Sequence, residues 1–259
     1  MMSDLVLVSR EERLAIVTLN RPPVNALSQE VLDALEKAFS DLAKDETVGA
    51  VILTGGGDKA FVAGADIAEF PKLNSANGEK LSRRGQQVFQ KIAEFPTPVI
   101  AAINGFALGG GLELALACDI RVVAENAKVG LPEVTLGIFP GYAGTQRLPR
   151  FIGIGKAKEL IFSGQMIDAA EAYRIGIAEY LAPVGESVNK AREIAAKILK
   201  VGPVAVRLAK QSVNQGLDLT LEEGQKLEAK LFAQLCDTED QKEGAHAFLE
   251  KRPPNFQGK

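Results

Sequence analysis

Apolar and polar positions alternate at the start of the chain, with Leu5 and Leu7 followed by Leu14, Ile16 and Thr18. That spacing predicts two strands with Glu11-Glu12-Arg13 turning between them. Pro22-Pro23 ends the second strand. Val31, Leu32, Leu35, Phe39 and Leu42 then recur at helical spacing behind Ser28, a natural N-cap. Val48 to Gly55 is a continuous apolar run, the pattern of a strand covered on both faces. The segment GGGDKAFVAGADIAEF after it reads as a loop. The polar stretch from Lys72 to Gln87 is either a mobile loop or an exposed helix. Val88, Ile92 and Phe95 carry a helix on to Pro96. Pro98 opens a second buried strand, PVIAAI, turned by Asn104-Gly105. Gly109-Gly110-Gly111 leads into the helical run LELALA, and the strand IRVVAE follows Asp119. Strand, small-residue loop and helix thus occur twice, about fifty residues apart, which argues for an α/β fold.

From Gly155 the chain reads as mostly helical. Ala157 to Phe162 is apolar, Asp168 caps a helix that closes near Gly176, and Ser187 to Val201 is amphipathic. Further helices are expected over Val204–Gln215, Leu221–Leu235 and Asp240–Lys251. The composition shift at Gly202-Pro203 divides an α/β core, residues 1–201, from a helical tail, residues 202–259.

Composition narrows the chemistry. With 259 residues and 46% hydrophobic content, the chain can bury roughly three quarters of its unfolded surface. A net charge of −3 gives no footprint for nucleic acid or an anionic membrane. Cys118 and Cys236 are too few for a disulfide framework or a four-cysteine zinc site. The lone His246 excludes a histidine-rich metal site. No signal-like segment or membrane-length apolar run is visible, so a cytoplasmic protein is expected. Gly155-Lys156 lacks the other residues of a phosphate-binding loop.

What remains is carboxylates and backbone amides. The three glycines before LELALA let a ligand approach the backbone of a helix start, where unpaired N–H groups suit a developing negative charge on oxygen. Glu113 lies in that first turn. The same residues read equally as a glycine-rich turn with a helix-dipole carboxylate. Ala63, Gly64 and Ala65 offer a similar loop, and Asp66 there reads as a helix-start carboxylate rather than a catalytic group. Glu133 follows Pro132 in an apolar stretch, where burial would raise its pKa into a range useful for proton transfer. The plainer reading is a partly exposed Glu133 paired with Arg147 or Arg150.

Several long segments together are more specific than any one loop. LNRPPVNALS at 19–28, AFVAGADIAEF at 60–70, PVIAAINGFALGGGLELALACDIRVV at 98–123, GLPEVTLGIFPGYAGTQRLPR at 130–150 and EGAHAFLEKRPPNF at 243–256 resemble the enoyl-CoA hydratase (crotonase) family. The resemblance implies a spiral of repeated ββα units with a C-terminal helical region used in trimerisation, and trimers that can pair into hexamers. It implies a coenzyme A thioester as substrate, with the N–H groups of Ala65 and Gly110 as oxyanion hole. Leu27, Ala63, Gly64, Asp66, Ile67 and Gly109 match the surrounding substrate site. Phe248 and Lys251 match tail residues that reach CoA bound in an adjoining subunit.

Glu113 and Glu133 both match the glutamates of family members that add water to a 2-enoyl-CoA to give a 3-hydroxyacyl-CoA. The implied enzyme is a monofunctional lyase of fatty-acid or related acyl-CoA metabolism, such as β-oxidation. It has no fused dehydrogenase and needs no metal or redox cofactor. Glu133 is expected to donate a proton to C2 and Glu113 to orient and deprotonate water. Tyr142-Ala143 departs from the smaller residues of many relatives and lies near the expected acyl chain. Ala68 stands where some relatives have a lysine, which leaves Lys59 or Lys251 to meet the CoA phosphates. Two other readings stay open. One is a hydratase or dehydratase for a branched or aromatic acyl-CoA, and the other a non-catalytic acyl-CoA- or RNA-binding member.

Overall fold

The computed structural model describes residues 5–259, except for the side chains of Ala68, Glu69 and Lys72. Strand β1 (Val6–Glu11) pairs antiparallel with β2 (Leu14–Leu19), in a register that sets Val6 opposite Leu19 and Glu11 opposite Leu14. The predicted hairpin is present, with Glu12 at φ 52° in its turn. The reading of Met1 to Asp4 lies outside the described residues.

β2 joins a six-stranded sheet with β3 (Ala50–Gly55), β5 (Val99–Ile103), β7 (Ile120–Ala124) and β10 (Tyr180–Ala182), in the order β1-β2-β3-β5-β7-β10. All pairings after the first hairpin are parallel. Alternate residues feed two cores. Ala15, Val17, Val51, Leu53, Val99 and Ala101 face the larger one. Leu14, Ile16, Ala50, Ile52, Ile100 and Ala102 face a smaller one. The smaller core is closed by Ala191, Ile194 and Ala195 of a helix over Ser187–Ile198. Cover on both faces is why these strands read as unbroken apolar runs.

A second sheet was not legible in the sequence. Its strands β4 (Ala60–Val62), β6 (Phe106–Leu108), β8 (Lys128–Gly130) and β9 (Met166–Asp168) have three residues each and lie in that order. Such short strands carry no usable periodicity. β4, β6 and β8 run parallel to one another. They follow β3, β5 and β7 in turn, so each repeat has one strand in each sheet before its helix. This is the expected spiral of ββα units.

Helix α1 (Gln29–Leu42) is capped by Ser28 and buries the five predicted residues. The stretch with two readings is helical from Ser75: α2 (Ser75–Ala93) is capped by Asn74 and buries Gly85, Val88, Phe89 and Ile92. Phe95 lies beyond its end, edge-to-face with Phe39. Helices α3 (Gly110–Ala117), α4 (Gly144–Ile152), α5 (Ile154–Ser163), α6 (Ala169–Arg174) and α7 (Ser187–Ile198) follow. Asp168 caps α6 as expected, with its Oδ1 accepting the Glu171 N–H at 2.9 Å. The last helices are α8 (Pro203–Gly216), α9 (Leu221–Cys236) and α10 (Glu239–Leu249), within two residues of the predicted bounds. They bury few of their own residues and expose Val213, Leu217, Leu221, Phe232 and Phe248. No helix among the described residues is long and apolar enough to cross a membrane.

Candidate active site

The second sheet positions the chemistry. β4, β6 and β8 are parallel neighbours, so the loops leaving their C-terminal ends lie side by side. These loops carry Ala63-Gly64-Ala65, Gly109-Gly110 and Glu133. The sequence placed the first two loops after long buried strands, but the short strands are what align them.

In the first loop, the Leu27 N–H donates to Gly64 O at 2.9 Å and the Asp66 N–H to Leu27 O at 2.8 Å. Leu27 and Ala65 form a parallel bridge through these two bonds. Neither bond uses the N–H of Ala65. In the second loop, the Gly109 N–H donates to Gly130 O at 2.9 Å. Gly110 then opens α3, where the helix offers its N–H no acceptor. Gly109 has φ 51°, and a Cβ there would stand 2.7 Å from Glu133 Oε1. A Cβ on Gly111 would overlap Val62 O, so this glycine lets α3 start against β4. The glycine triplet thus serves both close packing and room for a carboxylate.

Glu113 is 1% exposed. Its Oε1 accepts the N–H groups of Tyr142 and Gly144, each at 2.7 Å. Burial pushes its pKa up to about 8. The nearby Glu133 charge adds to that rise, against the two N–H bonds and Arg147. Glu133 sits in a 3-10 turn over Pro132–Leu136. Its Oε2 is buried without a hydrogen-bond partner among the described residues. Burial pushes its pKa up to about 7. Among the described residues, Glu133 forms no ion pair with Arg147 or Arg150. Arg147 donates to Gln90 Oε1 at 2.8 Å, and Arg150 to Gln146 O at 2.8 Å.

Leu27 is buried, with Cδ1 3.1 Å from a Cβ placed on Gly110. Ala63 and Gly64 line the first loop beside it. Asp66 immediately precedes the 3-10 helix Ile67–Lys72 and takes a 2.6 Å ion pair from Arg21, which also donates to Ala26 O at 3.1 Å. Arg21 had no assigned role in the sequence, although it lies inside the segment LNRPPVNALS. Ile67 is exposed. Tyr142 is 6% exposed, with its ring in the larger core and its N–H on Glu113. Phe248 is 83% exposed. The Lys251 N–H donates to Phe248 O at 3.3 Å, and among the described residues neither makes a backbone hydrogen bond to the three loops.

The two cysteines are free, and Cys118 is buried with its thiol pushed up to about 12, an inert core residue. Among the described residues, no three His, Cys, Asp or Glu side chains gather as a metal site.

The arrangement can bind a carbonyl oxygen between two N–H donors, one of them at a helix N-terminus, and hold a proton on either of two carboxyl groups beside it. Comparisons with known proteins identify the family of the chain. The family described as enoyl-CoA hydratase/isomerase matches residues 9–259. Short-chain-enoyl-CoA hydratase of Clostridium acetobutylicum is 47% identical over 248 residues, covering 95% of each chain. Crotonyl-CoA hydratase of Syntrophomonas wolfei is 46% identical over 252 residues, covering 97% of each. The solved structure of an enoyl-CoA hydratase from Bacillus anthracis superposes with a TM-score of 0.95 at 43% identity, covering 99% of this chain and 100% of that one. With near full-length matches of this kind, the chain belongs to the enoyl-CoA hydratase/isomerase family.

Proposed function

We propose that the protein adds water reversibly across the C2=C3 bond of 2-enoyl-CoA thioesters, giving 3-hydroxyacyl-CoA. The observation that carries this reading is the pair Glu113 and Glu133. Both have pKa values raised towards neutrality, with Glu113 in the first turn of α3 behind Gly110 and Glu133 against Gly109.

The thioester oxygen accepts from both N–H groups. The pair shares one proton, and in the reacting microstate that proton sits on Glu133, so Glu113 takes one from the water that attacks C3. The C2=C3 electron pair moves to C2 and, as an enolate, onto the thioester oxygen. Each N–H donor facing that charge is typically worth about 3 kcal/mol. Glu133 then gives its proton to C2. The proton that left Glu133 is replaced by the one gained by Glu113, so the pair is reset by a single transfer. Its titration belongs to both groups together. This cycle uses no metal and no redox cofactor.

Residues 1–201 serve as the catalytic core in this reading and residues 202–259 as the oligomerisation region. The exposed apolar side chains of α8 to α10 fit a trimer or a dimer of trimers. There Phe248 and Lys251 reach CoA held by a neighbour. Free Cys118 and Cys236 fit a reducing cytoplasm, and the reaction fits fatty-acid β-oxidation or related acyl-CoA metabolism. The test is incubation with crotonyl-CoA while following loss of enoyl-thioester absorbance. Turnover is expected, and no hydration of any 2-enoyl-CoA would overturn the reading.

A further inference from the structure

Gly85 lies well inside α2, where glycine is a poor helix former. Tyr142 accounts for it. A Cβ on Gly85 would overlap Cδ1 and Cγ of the Tyr142 ring and stand 2.5 Å from Cε1. The other edge of the ring faces Gly110, where a Cβ would stand 3.4 Å from Cδ2 and 3.6 Å from Cε2. The ring therefore spans the gap between α2 and α3. Phe89 meets it edge-to-face, with centroids 5.6 Å apart. The loop is fastened from the α2 side, where Ser82 Oγ and Gln86 Nε2 donate to Gly141 O at 2.6 and 2.9 Å. Ser82, Gly85, Gln86 and Phe89 share one helix face by their spacing.

The same residue is bonded to the site through its N–H on Glu113. In the pose given under Proposed function, the thioester oxygen at Gly110 and C3 beside Glu113 both neighbour Tyr142, whose ring borders Gly110 and whose N–H binds Glu113.

We propose that Tyr142, admitted by Gly85, is the wall that sets acyl length, so that the site takes short 2-enoyl chains and turns away long ones. The proposal rests on the hydratase reading for its substrate class. Tyr142→Ala removes the ring down to Cβ, and Tyr142→Val replaces it with a smaller isopropyl group. The unaltered chain is expected to favour crotonyl-CoA over trans-2-decenoyl-CoA in kcat/KM. That ratio should fall by about tenfold or more in Tyr142→Ala, and by less in Tyr142→Val.

Isothermal titration with the saturated butyryl-CoA and decanoyl-CoA reads the wall without turnover. Decanoyl-CoA should gain affinity relative to butyryl-CoA in the same order of variants. Failure of the chemistry would show as no crotonyl-CoA turnover with this titration result intact. Failure of the wall would show as the same decanoyl-to-butyryl ratio in variant and unaltered chain. Equal kcat/KM of the unaltered chain for the two enoyl-CoAs would also overturn the wall. Should one variant not fold, the other gives the same comparison. Packing supplies a separate check. Gly85→Ala should lower the melting temperature strongly alone and much less with Tyr142→Ala, and equal losses in both backgrounds would overturn the fit.

Discussion

Gly144 donates its N–H to Glu113 Oε1 across 2.7 Å, and the N–H of Tyr142 converges on the same oxygen. The residue between them, Ala143, stands at φ 83° in the left-handed region. That conformation aims both N–H groups at one carboxyl oxygen. Left-handed backbone disfavours a residue with a Cβ by roughly 1–2 kcal/mol. Ala143→Gly should therefore raise stability by about 0.5–1 kcal/mol after the added unfolded-state entropy, with activity retained. Ala143→Val should do the reverse, lowering kcat more than it raises KM because the donors lose their aim. Urea unfolding and steady-state kinetics on both variants check this, and a Val variant with normal kcat would sink it.

Removing the carboxyl groups one at a time tests the proton transfers. In Glu113→Gln the amide oxygen can still accept from Tyr142 and Gly144, so the loop stays in place while the proposed base is lost. Glu133→Gln removes the proposed donor to C2. Each should lower kcat by about 10²–10⁴-fold. Binding of a saturated acyl-CoA, read by isothermal titration, should change little. Near-normal kcat in either variant would refute the role given to that residue.

The fold was legible where burial is regular. The long strands, the helix capped by Ser28 and the start of α3 announce themselves through apolar runs, caps and glycines. The three-residue strands β4, β6 and β8 do not, because pairing between distant segments holds them and no local pattern marks them. Without that sheet, the loops around Ala65, Gly110 and Glu133 stay separate motifs. Glu113 and Glu133 were legible as candidates, yet the donors on Glu113 were not. A backbone N–H has no sequence signature, and its aim depends on one dihedral angle at Ala143. Tyr142 was read only as a neighbour of the acyl chain. Its fit to Gly85 crosses 57 residues of chain and shows only in three dimensions.

Both raised glutamates make pH a direct probe. Hydration needs one carboxyl ionised and one protonated. With values of about 7 and about 8, activity should follow a bell whose limbs lie well above the ordinary carboxylate range near 4.5. Stability should respond with a definite sign. Glu113 binds its proton more tightly folded than unfolded. Its contribution is complete below about pH 4.5 and is lost as the pH rises to about 8. The unaltered protein should weaken over that window by an amount on the order of a few kcal/mol, and Glu113→Gln should flatten the decline. Urea midpoints at pH 5.5 and 8.5 measure the difference. Parallel declines in both proteins would contradict it.

Lys210 ties α8 to the core. Its Nζ lies 2.7 Å from Asp119 Oδ2 and 3.2 Å from Thr97 O, and its side chain is only 8% exposed. Asp119 also accepts the Val99 N–H at 2.7 Å. Burial raises the pKa of Asp119, and Lys210 opposes that rise. Lys210→Met keeps much of the side-chain volume but leaves the carboxylate buried without its cation, which should lower stability by about 3 kcal/mol at neutral pH. The loss should shrink as the pH falls and Asp119 takes up a proton. Adding Asp119→Asn should recover part of it, since no charge is then left unpaired. Because α8 opens the tail that the proposed oligomer is built from, that proposal expects the single variant to dissociate at higher protein concentration than the unaltered chain in sedimentation experiments. Should Lys210→Met match the unaltered chain in urea midpoint at pH 7.5, this ion pair does not anchor the tail.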